Sequence, residues 1–218
     1  GKKKLTRDIK SSWFLLLYQI HKWKTMQVCD QYFHDLERVA NLQYESGEID
    51  YEQKSHFIMQ FAEIRMRQAV SANDVEMTAN LLRQLVFSDL VISPADSSLN
   101  SYQIDKGPYA NQQEIFSEAI GDENSLIKQY AAFSRQKTIE NMQLELDGLF
   151  MQLQFFLNVE IPYADILINT SLARLKSEEY NYLEFAEKIS EAFKTKLKYL
   201  ETLNKYNQNA ILLEYVAY

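Results

Sequence analysis

Apolar residues early in the chain recur in alternating steps of four and three. They run Ile9, Trp13, Leu16, Ile20 and Trp23, and resume at Met26, Cys29, Phe33, Leu36 and Ala40. That spacing holds one stripe on one helix face, in the manner of a coiled-coil seam with a single slip of phase. No Gly or Pro lies between Leu5 and Glu45. The pattern predicts a helix over 5–45, about 60 Å long at roughly 1.5 Å per residue. Residues 46–50 break it: Gly47 suits the left-handed conformation that ends a helix, and Asp50 suits the cap of the next. A second helix is predicted over 51–90, its stripe supplied by Phe57, Phe61, Ile64, Ala69, Ala72, Val75, Ala79, Leu82 and Leu85, with Pro94 ending it. Residues 91–123 hold Pro94, Gly107, Pro108 and Gly121 and read as irregular, with a short helix over 111–120.

A third helix is predicted over 124–176. Leu144, Gly148, Met151, Phe155, Val159, Pro162, Ile166 and Ala173 follow near-heptad steps along it. Pro162 removes a backbone donor, so a kink or break is expected between Asn158 and Pro162. Residues 177–181 form a second turn. The last helix, 182–216, carries Ile189, Phe193, Leu197, Leu200 and Leu203 on one face, and Glu187, Lys188, Glu191, Lys194 and Lys196 on a solvated one.

The expected fold is therefore all-α, built of long antiparallel coiled-coil hairpins. A first hairpin occupies 1–90, an irregular linker 91–123 and a second hairpin 124–218. At an offset of 131 residues, the segment 46–51 lies over 177–182, and Arg65, Met66 and Arg67 lie over Lys196, Leu197 and Lys198. A two-fold internal repeat explains this; so does chance similarity between helical sequences of low diversity.

Composition narrows the function. The 218 residues carry a net charge of −7. Nucleic-acid binders show a basic footprint, so nucleic acid is not an expected partner. Cys29 is the only cysteine, which excludes a disulfide within the chain. No apolar run nears the roughly 20 residues that cross a bilayer, so no direct membrane insertion is expected. Residues 13–18, following Lys2, Lys3 and Lys4, vaguely suggest a signal peptide but are too short and lack a small-residue cleavage site. They read as amphipathic helix. The chain starts at Gly1 rather than Met, and further sequence upstream is expected.

Chemistry is sparse. There is no Gly-rich phosphate loop, no His-Glu-x-x-His, no Cys-x-x-Cys and no Gly-x-Ser-x-Gly. No catalytic residue, cofactor or metal is expected, and the chain is not read as an enzyme. His34 and Glu37 form an i, i+3 pair that reads as solvent-facing rather than metal-binding. The six Met are scattered and read as core gap-fillers. Tyr44, Tyr51, Tyr180 and Tyr182 cluster at the two turns, as packing or as a contact surface.

The turns and their flanks carry a resemblance. Ala40, Tyr44, Gly47, Glu48, Ile49 and Tyr51 match an A-x-x-x-Y-x-x-G-E-I-x-Y pattern. Ile161, Pro162, Ala164 and Asp165 match Leu-Pro-x-Ala-Glu, and Tyr182-Leu183-Glu184-Phe185 matches Tyr-Leu-Glu-Tyr. Tyr199, Leu200, Glu201, Tyr206, Asn207 and Gln208 match Tyr-Leu-Glu-Ala-x-x-x-Tyr-Asn-Gln. In this order and spacing the chain resembles the TolC-like outer-membrane efflux proteins, in the variant associated with Bacteroidetes-type heavy-metal efflux. The likeness covers 5–90 and 124–216.

The resemblance implies a periplasmic helical domain of a homotrimeric channel in a Gram-negative envelope. Its hairpin tips would dock to an adaptor protein and an inner-membrane pump, exporting heavy-metal cations. Carried over by residue, the partner-binding tips are Gly47, Glu48, Ile49, Asp50 and Tyr51, with Glu179, Tyr180, Asn181 and Tyr182. Two departures stand against it. Glu178 replaces an expected Gly, and the barrel strands the family would place near 135–143 and before Leu5 are not visible. Without strands the chain cannot line a bilayer pore. A helical scaffold or ligand-binding bundle without a transport role stays open as the alternative, and a bundle enzyme as a weaker third.

Overall fold

A computed structural model describes residues 1–88, 91, 92, 94, 98–104, 123–177 and 179–217. Among these the only regular elements are helices: α1 Lys2–Ser46, α2 Tyr51–Val86, α3 Glu123–Phe155, a π turn Phe156–Glu160, α4 Ile161–Lys176 and α5 Tyr182–Ala217. The near absence of Gly and Pro is the cause, since nothing else in these segments interrupts the i→i−4 ladder. The predicted helix over 111–120 lies outside the described residues.

The helices neighbour one another in the order α2, α1, α5, then α3 and α4 together. The helices run antiparallel, as the contacts along them show, Tyr32 of α1 meeting Phe193 of α5 with ring centres 5.8 Å apart among them. Lys22 meets Asp74 at 3.3 Å and Arg65 meets Glu37 at 2.6 Å between α1 and α2. Lys10 meets Glu214 at 2.8 Å between α1 and α5, and Lys196 meets Asp165 at 2.6 Å between α5 and α4. The turns after α1 and after α4 therefore lie at one end, called the turn end. The first residue of α1 and the last of α5 lie at the other, the base.

Apolar packing runs the length of the molecule. Nearest the turns, Phe33 and Leu36 of α1, Phe57 and Phe61 of α2, Ile168 of α4 and Ile189 of α5 belong to one buried cluster, so both hairpins share a core. Lower down, Leu17 and Tyr18 of α1 pack with Leu153 of α3 and with Leu200 and Leu203 of α5. At the base, Ile139 and Leu146 of α3 meet Ala210 and Leu213 of α5, while level with the middle cluster Leu16 of α1 meets Ala79 and Leu82 of α2. The linker joins in through residues 98–104: Leu99 is buried among the middle cluster, and Tyr102 stands edge-on to Phe14 at 5.3 Å.

Several expectations need correction. Helix α2 stops at Val86, not near 90, because Phe87 turns left-handed at φ 54° and ψ 45° while Ser88 N–H closes the end on the Arg83 carbonyl at 3.1 Å. A Cβ opposes that conformation, and the Phe87 ring is 89% exposed, so no packing compensates. Phe87→Gly is therefore expected to stabilise the chain by about 0.5–1 kcal/mol. A thermal melt should show a higher midpoint; an unchanged or lower one would refute the strain.

The stripe expected to bury α3 and α4 faces outward instead. Leu144, Met151, Phe155, Val159 and Ile166 are all half or more exposed, and the buried apolar residues are Ile139, Leu146, Leu149, Leu153, Phe156, Ala164 and Ile168. On α2, Ala69 and Ala72 are exposed while Ser71 and Thr78 are buried, the Thr78 hydroxyl donating to the Asp74 carbonyl of its own helix at 2.7 Å. Four of the six Met are likewise not core fillers: Met59, Met66 and Met77 on α2 and Met151 on α3 are exposed. Outer helices have two sides that water or a partner can reach, whereas α1 and α5 have neighbours on both flanks.

The strain expected ahead of Pro162 takes the form of the π turn rather than a break. Ile161 N–H donates to the Phe156 carbonyl, five residues back, and the wider loop leaves room for the proline ring in the first turn of α4. The surplus residue also resets phase. Buried positions run 146, 149, 153, 156 before it and 164, 168, 171 after it, so α3 and α4 present the same face to α5.

Candidate functional site

The two turns have equivalent hydrogen bonding at the 131-residue offset. In the first, the N–H groups of Glu48 and Ile49 both donate to the Gln43 carbonyl, at 2.8 and 3.3 Å. In the second, the N–H groups of Glu179 and Tyr180 both donate to the Arg174 carbonyl, at 2.9 and 3.1 Å. Each turn then opens the next helix with a reciprocal cap. Asp50 Oδ1 accepts from Gln53 N–H at 2.8 Å and Gln53 Oε1 accepts from Asp50 N–H at 3.1 Å. Asn181 Oδ1 accepts from Glu184 N–H at 2.9 Å and Glu184 Oε2 accepts from Asn181 N–H at 3.1 Å. Gly47 sits at φ 78°, the conformation expected of it. Its counterpart Glu178 lies outside the described residues.

The predicted tip residues divide into those that build the turns and those that face outward. Ile49, Tyr180 and Tyr182 are half-buried, and Ile49 and Tyr182 rest on the shared core. Tyr51 is 71% exposed and leans edge-on to Tyr44, whose ring also carries Lys54 Nζ at 4.3 Å. The Tyr180 hydroxyl accepts from Arg174 Nη1 at 2.9 Å, with the guanidinium 5.1 Å from the ring centre. Glu48, Asp50, Glu179 and Asn181 are exposed. Aromatic rings thus serve both as packing and as surface.

A cavity of about 220 Å³ lies between the turns, lined by Gln43, Glu48, Ile49, Gln53 and Phe57 from the first hairpin and Asn181, Tyr182 and Leu183 from the second. The structure therefore brings both predicted tips to one surface. Sequence reading missed Gln43, Gln53, Arg174 and Glu184. The capping residues were findable: a Gln or Glu three positions after an Asp or Asn cap is a local signature. Surrounding charge is mainly acidic, with Glu45, Glu48, Asp50, Glu52, Glu179 and Glu184 outnumbering Lys54, Arg174 and Lys176.

A second concavity, a groove of about 350 Å³, lies between α2 and α5 above α1. Met26 and Cys29 lie deepest, Ile64, Phe193 and Leu197 form apolar walls, and Glu63, Arg67, Glu187, Glu191 and Lys194 form a charged rim. Burial pushes the Cys29 thiol up to about 12, so at neutral pH it is a protonated, unreactive side chain. Among the described residues no three His, Cys, Asp or Glu side chains converge, and no helix is long and apolar enough to cross a membrane. Glu37, half of the His34 pair, is bound instead by Arg65. No known protein family matches the chain, and no characterised protein matches it as a relative.

Proposed function

We propose that this chain is the helical-hairpin domain of a TolC-like efflux component, working in the periplasm without bond chemistry. Its paired turns dock an adaptor protein and pump for the export of heavy-metal cations. The observation that carries the reading is the pair of equivalent, reciprocally capped turns presented side by side at one end. Such a surface offers small apolar contacts from Ile49 and Tyr180, with a carboxylate rim. One copy buries little area, so docking is weak singly and gains strength when several copies present their turns together.

The outer helices support assembly into a ring. Met59, Met66, Val70, Met77 and Leu81 form an exposed stripe on α2, and Leu144, Met151, Phe155, Val159 and Ile166 form one on α3 and α4. These are opposite edges of the helix order, so α2 of one copy meets α3 and α4 of the next. Head-to-tail contact of this kind closes a ring when the rotation allows, and a trimer is the ring proposed here.

The test is export in cells carrying Gly47→Pro with Tyr180→Ala in the full-length protein. Proline cannot reach φ 78°, so the turn must re-form. Export should fall toward that of a strain lacking the protein, while circular dichroism stays helical. Unchanged export at normal expression would sink the docking role. It would favour the second reading, a ligand-binding bundle, for which the groove over Met26 and Cys29 is the supporting feature.

A further inference from the structure

The base of the bundle differs from the turn end in charge and in apolar exposure. Lys2, Lys3, Lys4, Arg7 and Lys10 occupy the first turns of α1, and Lys128, Arg135 and Lys137 those of α3. Both sets meet at the end of α5. The Arg7 guanidinium lies 4.5 Å from the Tyr215 ring centre, Lys10 Nζ is 2.8 Å from Glu214, and Arg135 Nη2 donates to the Val216 carbonyl at 2.7 Å. Among the described side chains nearby, Asp8 is engaged by Arg7, Glu214 by Lys10 and Glu140 by Lys137. In a chain of net charge −7, positive charge is thus concentrated at one end.

Beside this charge stands an uncovered helix face. Arg135 marks where α5 ends, and the residues of α3 before it run on past that point, by about 18 Å at roughly 1.5 Å per residue. Leu126, Ile127, Tyr130 and Phe133 there are 66%, 63%, 74% and 52% exposed. The ring proposed above leaves them uncovered, because α2 has only 36 residues and stops near the level of Ile139; this step alone rests on that proposal. Aliphatic and aromatic side chains next to lysines and arginines have the chemistry of a membrane-surface contact. Rings and aliphatics enter the headgroup boundary while cations meet acidic headgroups. A nucleic acid would answer the charge but give Leu126 and Ile127 nothing apolar to enter.

We propose that the base binds the surface of an anionic phospholipid bilayer, peripherally and without spanning it. The full chain should sediment with vesicles of phosphatidylglycerol and phosphatidylcholine at low salt, and not with phosphatidylcholine alone. About 0.5 M salt should release it, because screening then acts within a few ångströms. Each surface lysine contributes about fivefold to such binding, so Lys2→Glu, Lys3→Glu and Lys4→Glu together should weaken it at least a hundredfold, to order of magnitude. Tyr130→Ser with Phe133→Ser should weaken it as well, with helicity and oligomeric mass unchanged. Absence of binding to the anionic vesicles, equal binding to neutral ones, or indifference to the lysine changes would each overturn the inference. An intact oligomer that ignores anionic vesicles overturns this inference and leaves the ring standing. Vesicle binding that survives loss of the oligomer supports this inference and removes the ring.

Discussion

Phe33→Ala is expected to lower the unfolding free energy by about 3–5 kcal/mol, the usual result of emptying a fully packed aromatic site. Phe33 is 2% exposed on the central helix α1, its ring centre 5.6 Å from that of Phe61. It belongs to the cluster that α1 shares with α2, α4 and α5, so the cavity would open in the core common to both hairpins. Phe155→Ala supplies the contrast. Phe155 is 53% exposed on the outward stripe, and its loss should change a single chain by no more than about 0.5 kcal/mol. Urea titration of both variants at a concentration where the chain is monomeric makes the comparison. Equal losses would mean that Phe155 does not lie on an outward face of α3.

The second large effect is expected at Asn207, a fully buried polar residue. Its Oδ1 accepts from Tyr102 N–H at 2.7 Å and its Nδ2 donates to the Asn100 carbonyl at 3.1 Å, so one side chain fastens the linker to α5. Asn207→Leu strands both backbone groups and should cost about 2–4 kcal/mol. Protease cleavage within residues 98–104 should quicken at the same time. Cleavage that stays as slow as in the parent chain would show that Leu99 and the Tyr102 side chain hold the linker without Asn207.

The same linker is held by a titratable group of three. Tyr102 donates to Glu214 at 2.6 Å, and Lys10 donates to both. Burial pulls the Lys10 value down, but its bonds to Glu214 and Tyr102 outweigh this and leave it above 10.5. Burial pushes Glu214 up, but its bonds to Lys10 and Tyr102 leave it below 4.5. Burial and the bond to Glu214 hold Tyr102 above 10.0. The Glu214 contribution is therefore present above the ordinary carboxylate value and fades as acid titrates it below 4.5. Those of Lys10 and Tyr102 are complete below their ordinary values and fade at higher pH. All three are partly exposed, so each is worth less than about 1 kcal/mol.

Local signals were legible in the sequence because local chemistry sets them. Gly47 and Asp50 fix the first turn by backbone freedom and side-chain capping, which need no tertiary partner. The seams of α1 and α5 were legible because those helices are flanked on both sides. Phe33, Leu36 and Ala40 are buried as their spacing implies, and so are Ile189, Phe193, Leu200 and Leu203. Helix α3 defeats the same reasoning because it carries two apolar stripes. Leu144, Met151 and Phe155 repeat as regularly as Leu146, Leu149 and Leu153, on nearly opposite faces, and periodicity does not say which one meets α5. Ser71 and Thr78 were missed because a stripe of apolar residues passes over hydroxyl side chains, and a hydroxyl such as that of Thr78 can be buried once it bonds its own helix backbone. Of the candidate site, the turn positions were visible, while their side-by-side placement depends on how two distant hairpins pack.

The surplus residue in the π turn bears on descent. An insertion of a single residue into a long helix rotates everything downstream by about 100°. Such a change survives only where the chain can absorb it, and the wide turn ahead of Pro162 does so. Sequences descended from the same ancestor without the insertion should show a one-residue gap between positions 156 and 161, together with an unbroken α-helix there. Deleting Asn158 from this chain would recreate that ancestral length. Once the turn closes to an unbroken α-helix, Ala164 and Ile168 should keep the face toward α5 that they hold now, and Pro162 should carry the cost of the lost room.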